Sequence, residues 1–240
     1  MRPYIIINGV SSTSIEGLII STLPSISKPQ MRIDTETIDG RDGDIVTPLG
    51  YSAYDKDISI GLSKDYDIDE VITYFNSSGK IIFSNEPDKY YNFMITDAID
   101  FEKLIRFKTA TVSLHVQPFK YSAIETKQTF NFDEATSGSF NIRNSGNFIS
   151  KPLITITGSG TTNLYLNDNQ VLVIDLGSNT STIVIDIDSM NAYDPTNSNL
   201  LNRKVIGDYN SCTLKVGKNT IGFVGGNIDT ITVDRYSRWI

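Results

Sequence analysis

The chain has 240 residues, with 21 Lys and Arg against 28 Asp and Glu, a net charge of −7 and a pI near 4.7. Affinity for nucleic acid rests on Lys and Arg neutralising phosphates, so this acidic balance excludes a duplex-binding surface as the working part. A single cysteine, Cys212, and a single histidine, His115, exclude an internal disulfide and a thiolate or imidazole zinc cluster.

At the start, MRPYIIINGV holds its apolar run to Tyr4–Ile7. That is too short for a signal-peptide core or a membrane span, so synthesis in the cytoplasm without membrane insertion is expected. Tyr4–Ile7 followed by Asn8-Gly9 reads as a strand ending in a tight turn. Strand alternation returns at Met31–Thr37 and at Asp57–Leu62, where Ile58, Ile60 and Leu62 share a face. Between them lies a 19-residue connection opening with IDGRDGDIVTPLG, read as two turns: one at Gly40-Arg41-Asp42-Gly43, the other at Pro48-Leu49-Gly50.

A helix is expected from Asp67, because Asp67 and Glu70 have capping-box spacing and Ile68, Val71, Ile72 and Phe75 form one stripe. Ser77-Ser78-Gly79 is expected to end it, with Gly79 as the left-handed closing residue. Lys80–Ser84 and Arg106–Val116 follow as strands, the second burying Ala110, Val112, Leu114 and Val116 and leaving His115 on the wet side.

Beyond Gln117-Pro118-Phe119-Lys120-Tyr121 the composition changes: Asn, Ser and Thr number 26 in residues 1–120 and 41 in residues 121–240. This favours two domains over one, 1–121 and 122–240. Short strands are expected at 129–132, 153–157, 163–166, 171–176, 182–187, 213–216, 221–224 and 228–233. Their spacing is that of an antiparallel sandwich, in which Cys212 serves as a small apolar residue. The fold class is mainly β, with one short helix in the first domain.

The glycine-rich stretch fails as a phosphate loop, since Asp44-Ile45 stands where Lys-Ser/Thr is needed. It fails as a calcium loop, since Val46 falls on a ligand position. Asp65, Asp67 and Asp69 imitate half a calcium loop, but Glu70 takes the glycine's place, and helix capping accounts for the acids. Asp186 and Asp188 alternate with apolar residues as the wet face of an edge strand. No pair of carboxylates stands out as a glycosidase would require, and no Gly-x-Ser-x-Gly is present. No catalytic residue, metal ligand or cofactor is expected. A connection of this length without chemistry needs another reason to exist, and contact with another chain supplies one.

The succession Thr37–Asp44, the strand Asp57–Leu62, the helix, Gly79–Phe83 and Glu86–Tyr91 resembles the N-terminal domain of the distal tail proteins of long-tailed bacteriophages of Gram-positive hosts. Lys151–Gly160, Leu214–Ile221, Gly225-Gly226 and Arg238-Trp239-Ile240 are similar to that family's second domain. Relatives often carry an aromatic-Pro pair before the Leu and a Pro before the Gly, where this chain has Tyr209-Asn210-Ser211 and Val216. The resemblance implies a homo-oligomeric ring, usually a hexamer, at the tip of a virion tail. Its N-terminal domains would join the tail tube protein to the tail-tip proteins, and its galectin-like C-terminal sandwiches would dock receptor-binding proteins. Residues Gly40, Arg41, Asp42, Gly43, Pro48 and Gly50 would then brace neighbouring subunits, in a phage or in a tail-derived bacteriocin particle. Six copies would carry a formal net charge of about −42, and a bore lined by acids would repel DNA passing through it. The competing reading is a carbohydrate-binding module with Tyr165, Tyr193, Tyr209 or Trp239 as stacking platforms.

Overall fold

The computed structural model describes residues 2–76 and 78–240. It forms two compact units, one running to Ala123 and the other from Ile124 to Trp239, and the architecture is all-β with short helical insertions.

In the first unit the elements are β1 (Ile5–Ile7), β2 (Val10–Ser11), β3 (Leu18–Thr22), β4 (Met31–Thr37), β5 (Asp44–Tyr51), β6 (Tyr54–Leu62), α1 (Ile68–Phe75), β7 (Gly79–Phe83), β8 (Lys89–Met94), α2 (Phe101–Phe107) and β9 (Thr109–Ser122). The main sheet is antiparallel in the order β2-β1-β7-β8-β9-β6-β3. Its spine is the β6–β9 pair, in register from Tyr54 opposite Val116 to Gly61 opposite Thr109. Ile58, Ile60, Val112, Leu114 and Val116 are fully buried there, which fixes the register, because a one-residue slip would send Asp57 and Ser59 into the core.

Helix α1 is capped by Asp67, whose carboxylate accepts from the Asp69 and Glu70 amides at 2.9 and 3.2 Å. Only half of the capping box forms. Glu70 turns away to accept from the Glu16 amide at 3.1 Å. The buried stripe is Val71, Tyr74 and Phe75, with Ile72 in solvent. Tyr74 displaces Ile72 because its hydroxyl finds the carbonyls of Ile5 and Val10, at 3.3 and 3.2 Å, and so ties α1 to β1 and β2. The expected closure by Gly79 does not occur: Asn76 caps the helix, and Gly79, at φ +135°, opens β7. Ser77, part of that expected stop, lies outside the described residues.

The expected strand Arg106–Val116 is corrected at its start, since Arg106 belongs to α2 and the strand begins at Thr109. Helix α2 has only two turns, so Phe101, Leu104 and Ile105 make too short a stripe to announce it; Leu104 is fully buried and Phe101 packs on the core. It is held by caps: Asp100 accepts from the Lys103 amide at 2.8 Å, and Lys108 ends it in the left-handed conformation.

The second unit contains β10 (Gln128–Asn144), β11 (Leu153–Ser159), β12 (Thr161–Leu166), β13 (Asn169–Asp175), β14 (Ser181–Asp186), β15 (Asn191–Tyr193), β16 (Val205–Gly207) and β17 (Gly217–Asp234). Two expected strands, 221–224 and 228–233, are one strand, β17, and residues 129–132 are the start of the 17-residue β10. The segment 213–216 is not a strand, and Leu214 makes only an isolated bridge to Ser150. β10 follows β17 along nearly its whole length, while β11 pairs with the second half of β17 and β12 with the first.

Both long strands bend close to the Ala135–Ile228 pair, β10 on one side of it at Asp133-Glu134 (φ +51° and +62°) and β17 on the other at Gly225-Gly226 (φ +93° and +69°). Phe130 and Phe140, about 33 Å apart on a straight strand, stack at 3.8 Å as a result. The order β15-β14-β11-β17-β12-β13-β16 therefore folds over on itself at β17. One core of alternating residues results, including Ile154, Ile156, Leu164, Leu172, Ile185, Phe223 and Ile231. Arg235 clamps the open end, pairing with Glu125 at 3.2 Å and donating to the Arg143 and Thr126 carbonyls at 3.3 Å each.

Cys212 lies in this core, and burial, with a smaller contribution from Asp208, pushes its thiol from 9.0 up to about 12. At pH 8 its thiolate fraction is therefore about a thousandfold below that of a free thiol, and stability falls as pH rises above about 9, where the unfolded chain releases a proton that the folded chain keeps. Folded protein is expected to leave Cys212 unmodified by a thiol reagent at pH 8, with one equivalent reacting on denaturation. Gly158→Ala places a Cβ 2.3 Å from the Asn227 carbonyl oxygen, where β11 crosses the bend of β17. It is expected to cost 2 kcal/mol or more, read by urea unfolding at roughly that magnitude.

Candidate functional site

The glycine-rich connection is a β-hairpin arm. Strands β4 and β5 pair only with each other, from Met31 opposite Tyr51 to Thr37 opposite Asp44, apart from the main sheet. The expected turn at Gly40 is present: the Arg41 amide donates to the Ile38 carbonyl at 3.1 Å, with Gly40 at φ +81° in the position that favours glycine. The expected second turn is not. Pro48-Leu49-Gly50 lies within β5 as a bulge, where the register slips between Arg32 and Ile33. Proline lacks a ladder donor and is tolerated at such a bulge on an open edge, and the Arg32 guanidinium donates to the displaced Leu49 carbonyl at 3.2 Å.

The six expected contact residues thus fall into two places. Gly40, Arg41, Asp42 and Gly43 form the tip, and Pro48 and Gly50 flank the bulge nearer the root. Glycine punctuation hid the strand between them.

Every β4 side chain is exposed, and β5 buries none. Paired residues share a face, so Met31, Ile33, Val46, Pro48 and Tyr51, with Thr35, Thr37 and Asp44, lie on one side of the arm and Arg32, Asp34, Glu36, Ile45 and Thr47 on the other. Ile33 and Val46 remain 50% and 52% exposed, an amphipathic ribbon whose apolar face meets water.

The arm's root is fixed by buried charge. Lys56 and Lys120 occupy core-facing positions on β6 and β9, at 4% and 6% exposure. Lys56 donates to the Ser25 carbonyl at 2.8 Å and lies 5.2 Å from the ring centroids of both Tyr54 and Tyr91. Burial lowers its pKa, Glu86 opposing and Lys120 adding to the effect. Lys120 pairs with Glu86 at 2.8 Å, and Tyr91 donates to the other Glu86 oxygen at 3.3 Å. Asn85 donates to the Pro24 carbonyl at 3.2 Å. The strap 23–30 between β3 and the arm is therefore held by its carbonyls. The Ser52 amide closes the hairpin base on Gln30 at 2.9 Å, and Tyr51 packs edge-on against Phe119 at 5.8 Å.

The remaining candidate residues do not converge. His115 faces solvent beside Asp55 at 2.7 Å, its cross-strand neighbour. Asp186 accepts from the Asp188 and Ser189 amides in a turn, and Asp188 pairs with Lys151 at 2.9 Å. Tyr165 lies on β12, Tyr193 on the edge strand β15 and Tyr209 packs on the core, so no two of these three make a common platform. A cavity of about 490 Å³ beside α1 is lined by Ile72, Phe75, Met94, Ile95, Ile99 and Phe101, with Asp97 as its one carboxylate.

No family model and no curated protein matches the chain by sequence. Among solved structures it is similar to the SPP1 Dit protein (gp 19.1), described as a paradigm of the hub adsorption apparatus in Gram-positive-infecting phages. The two share 17% identity over 97% of this chain and 98% of that one, with a TM-score of 0.65. The chain has the SPP1 Dit fold. It is also similar, at 11% identity over 97% of each chain and a TM-score of 0.50, to a chain of the phage P2 baseplate in its activated conformation with Ca.

Glu86→Gln is expected to destabilise the chain by about 3 kcal/mol in urea unfolding, because it leaves Lys56 and Lys120 buried without a counter-charge. Asp88→Asn, which removes a partner of Lys89 that is 52% exposed, is expected to change stability by less than about 0.5 kcal/mol.

Proposed function

We propose that the protein is the structural hub of a phage tail tip, a ring of identical chains joining the tail tube to the tail-tip proteins. A prophage or a tail-derived bacteriocin particle would use the same part. The observation that carries the reading is a full-length likeness to a hub protein in a chain that exposes an apolar arm of no use to a lone subunit. Working surfaces are then shape and edge rather than reactive groups. The first unit builds the ring, with Gly40, Arg41, Asp42, Gly43, Pro48 and Gly50 shaping the arm that braces the neighbour. The second unit, as a galectin-like sandwich, presents a surface to receptor-binding proteins. The number of copies is six by the family's habit. The chain is made in the host cytoplasm and resides at the virion tail tip.

The purified full chain is expected to run as a ring-sized species in light scattering and to show rings by negative stain. Ile33→Asp with Val46→Asp is expected to shift it to single-chain mass with thermal unfolding nearly unchanged, because both side chains are exposed in the lone subunit. A wild-type chain that remains single at high concentration and binds a glycan array would replace the hub reading with the carbohydrate-binding one.

A further inference from the structure

We propose that the apolar face of the β4–β5 arm of one copy docks on helix α2 of the next copy. This rests on the ring reading and names the surface that receives the arm. The receiving site is the C-terminal end of helix α2, where Phe107 is 62% exposed, while Ile105, 39% exposed, lies on the other flank of the buried Leu104. The charge of α2 is divided along its length: Asp100 and Glu102 lie at its N-terminal end, and Lys103, Arg106 and Lys108 around its C-terminal half, where the Arg106 guanidinium lies 5.6 Å from the Phe107 ring centroid and the Lys108 ammonium 4.0 Å from that of Tyr66. The arm's tip and docked face are acidic, carrying Asp39, Asp42 and Asp44 against Arg41, while Asp34 and Glu36 lie on the far face with Arg32. Pairing one arm with another would bring two acidic surfaces together, whereas the C-terminal end of α2 offers apolar area framed by the opposite charge.

Position supports the same partner. The arm's root adjoins the Tyr54–Val116 end of the β6–β9 ladder, with Tyr51 on Phe119. Helix α2 adjoins the other end, where the Leu62 amide donates to the Lys108 carbonyl at 3.3 Å. From Tyr54 to Gly61 the ladder spans about 24 Å. Donor and receiver at opposite ends of one rigid pair give a head-to-tail contact between different patches, and such contacts generate rings when the rotation closes.

The test uses the full chain with Val46→Cys and Phe107→Cys together, oxidised and run on a non-reducing gel. An intermolecular ladder is expected, absent from either single variant, while buried Cys212 stays silent. In parallel, Lys103→Glu with Arg106→Glu is expected to raise the concentration for half-assembly about tenfold. Asp39→Lys with Asp42→Lys is expected to do the same alone, and to restore assembly when combined with the α2 reversal. A wild-type ring with no 46–107 cross-link, or cross-links joining 46 to 46, overturns the α2 assignment and leaves the hub reading standing. A wild-type chain that never assembles overturns the hub reading itself, and this proposal with it.

Discussion

The register of the β6–β9 ladder governs the first unit. Five fully buried aliphatic residues on its inner face forbid a slip of one position, so the two ends of the ladder are fixed in space relative to each other. At one end the inner face runs out of aliphatic residues and continues as Lys56 and Lys120. These are long side chains that bury their stems and need oxygens for their ammonium groups. Glu86 and the carbonyl of Ser25 provide them, so the strap leading to the arm is ordered by the electrostatic requirement of the core beneath it. Isolated charges at such depth are costly, and the cluster holds only as a complete set.

The second unit solves a different problem with a similar economy. A sandwich ordinarily needs separate strands for its two sheets, but here a single antiparallel pair, β10 with β17, serves both by bending in concert. The left-handed Asp133-Glu134 of β10 and the glycines of β17 make two register shifts on either side of the Ala135–Ile228 pair, so both strands contribute to the bend. The stacked rings of Phe130 and Phe140 fill the inside of the fold. Because every other long strand of the unit pairs directly or indirectly with β17, loss of this bend would open both sheets at once.

Much of this was legible in the sequence and some of it was not, for identifiable reasons. Alternating aliphatic residues announced β6, β9, β11, β13 and β14, since period-two burial leaves a direct trace. The cap at Asp67 was visible as well. Helix α2 left only a faint trace, because in seven residues Phe101, Leu104 and Ile105 give a single repeat of the helical spacing. The arm was read as a connection because Gly40, Gly43, Pro48 and Gly50 punctuate it, and punctuation usually means turns; here two of the four sit inside a bulged strand. The division of β17 into two pieces has the same origin, at Gly225-Gly226, and the reading of β10 as 129–132 alone stops where Asp133-Glu134 interrupt the alternation. The placement of Glu86 between two lysines could not be seen, because it joins residues 30 and more positions apart through three strands. Contact by the 38–50 segment was inferred from the absence of chemistry, whereas the two-faced character of the ribbon required its pairing register.

The bulge at Pro48 has a further effect on what the arm can become. A flat, regular ribbon with a greasy side and free backbone on both margins would recruit copy after copy into a fibre. Beside the bulge in β5 the proline offers no amide, which makes this strand a poorer template for another. Growth along that direction is hindered by the same residue that looked, in the bare letters, like a simple corner.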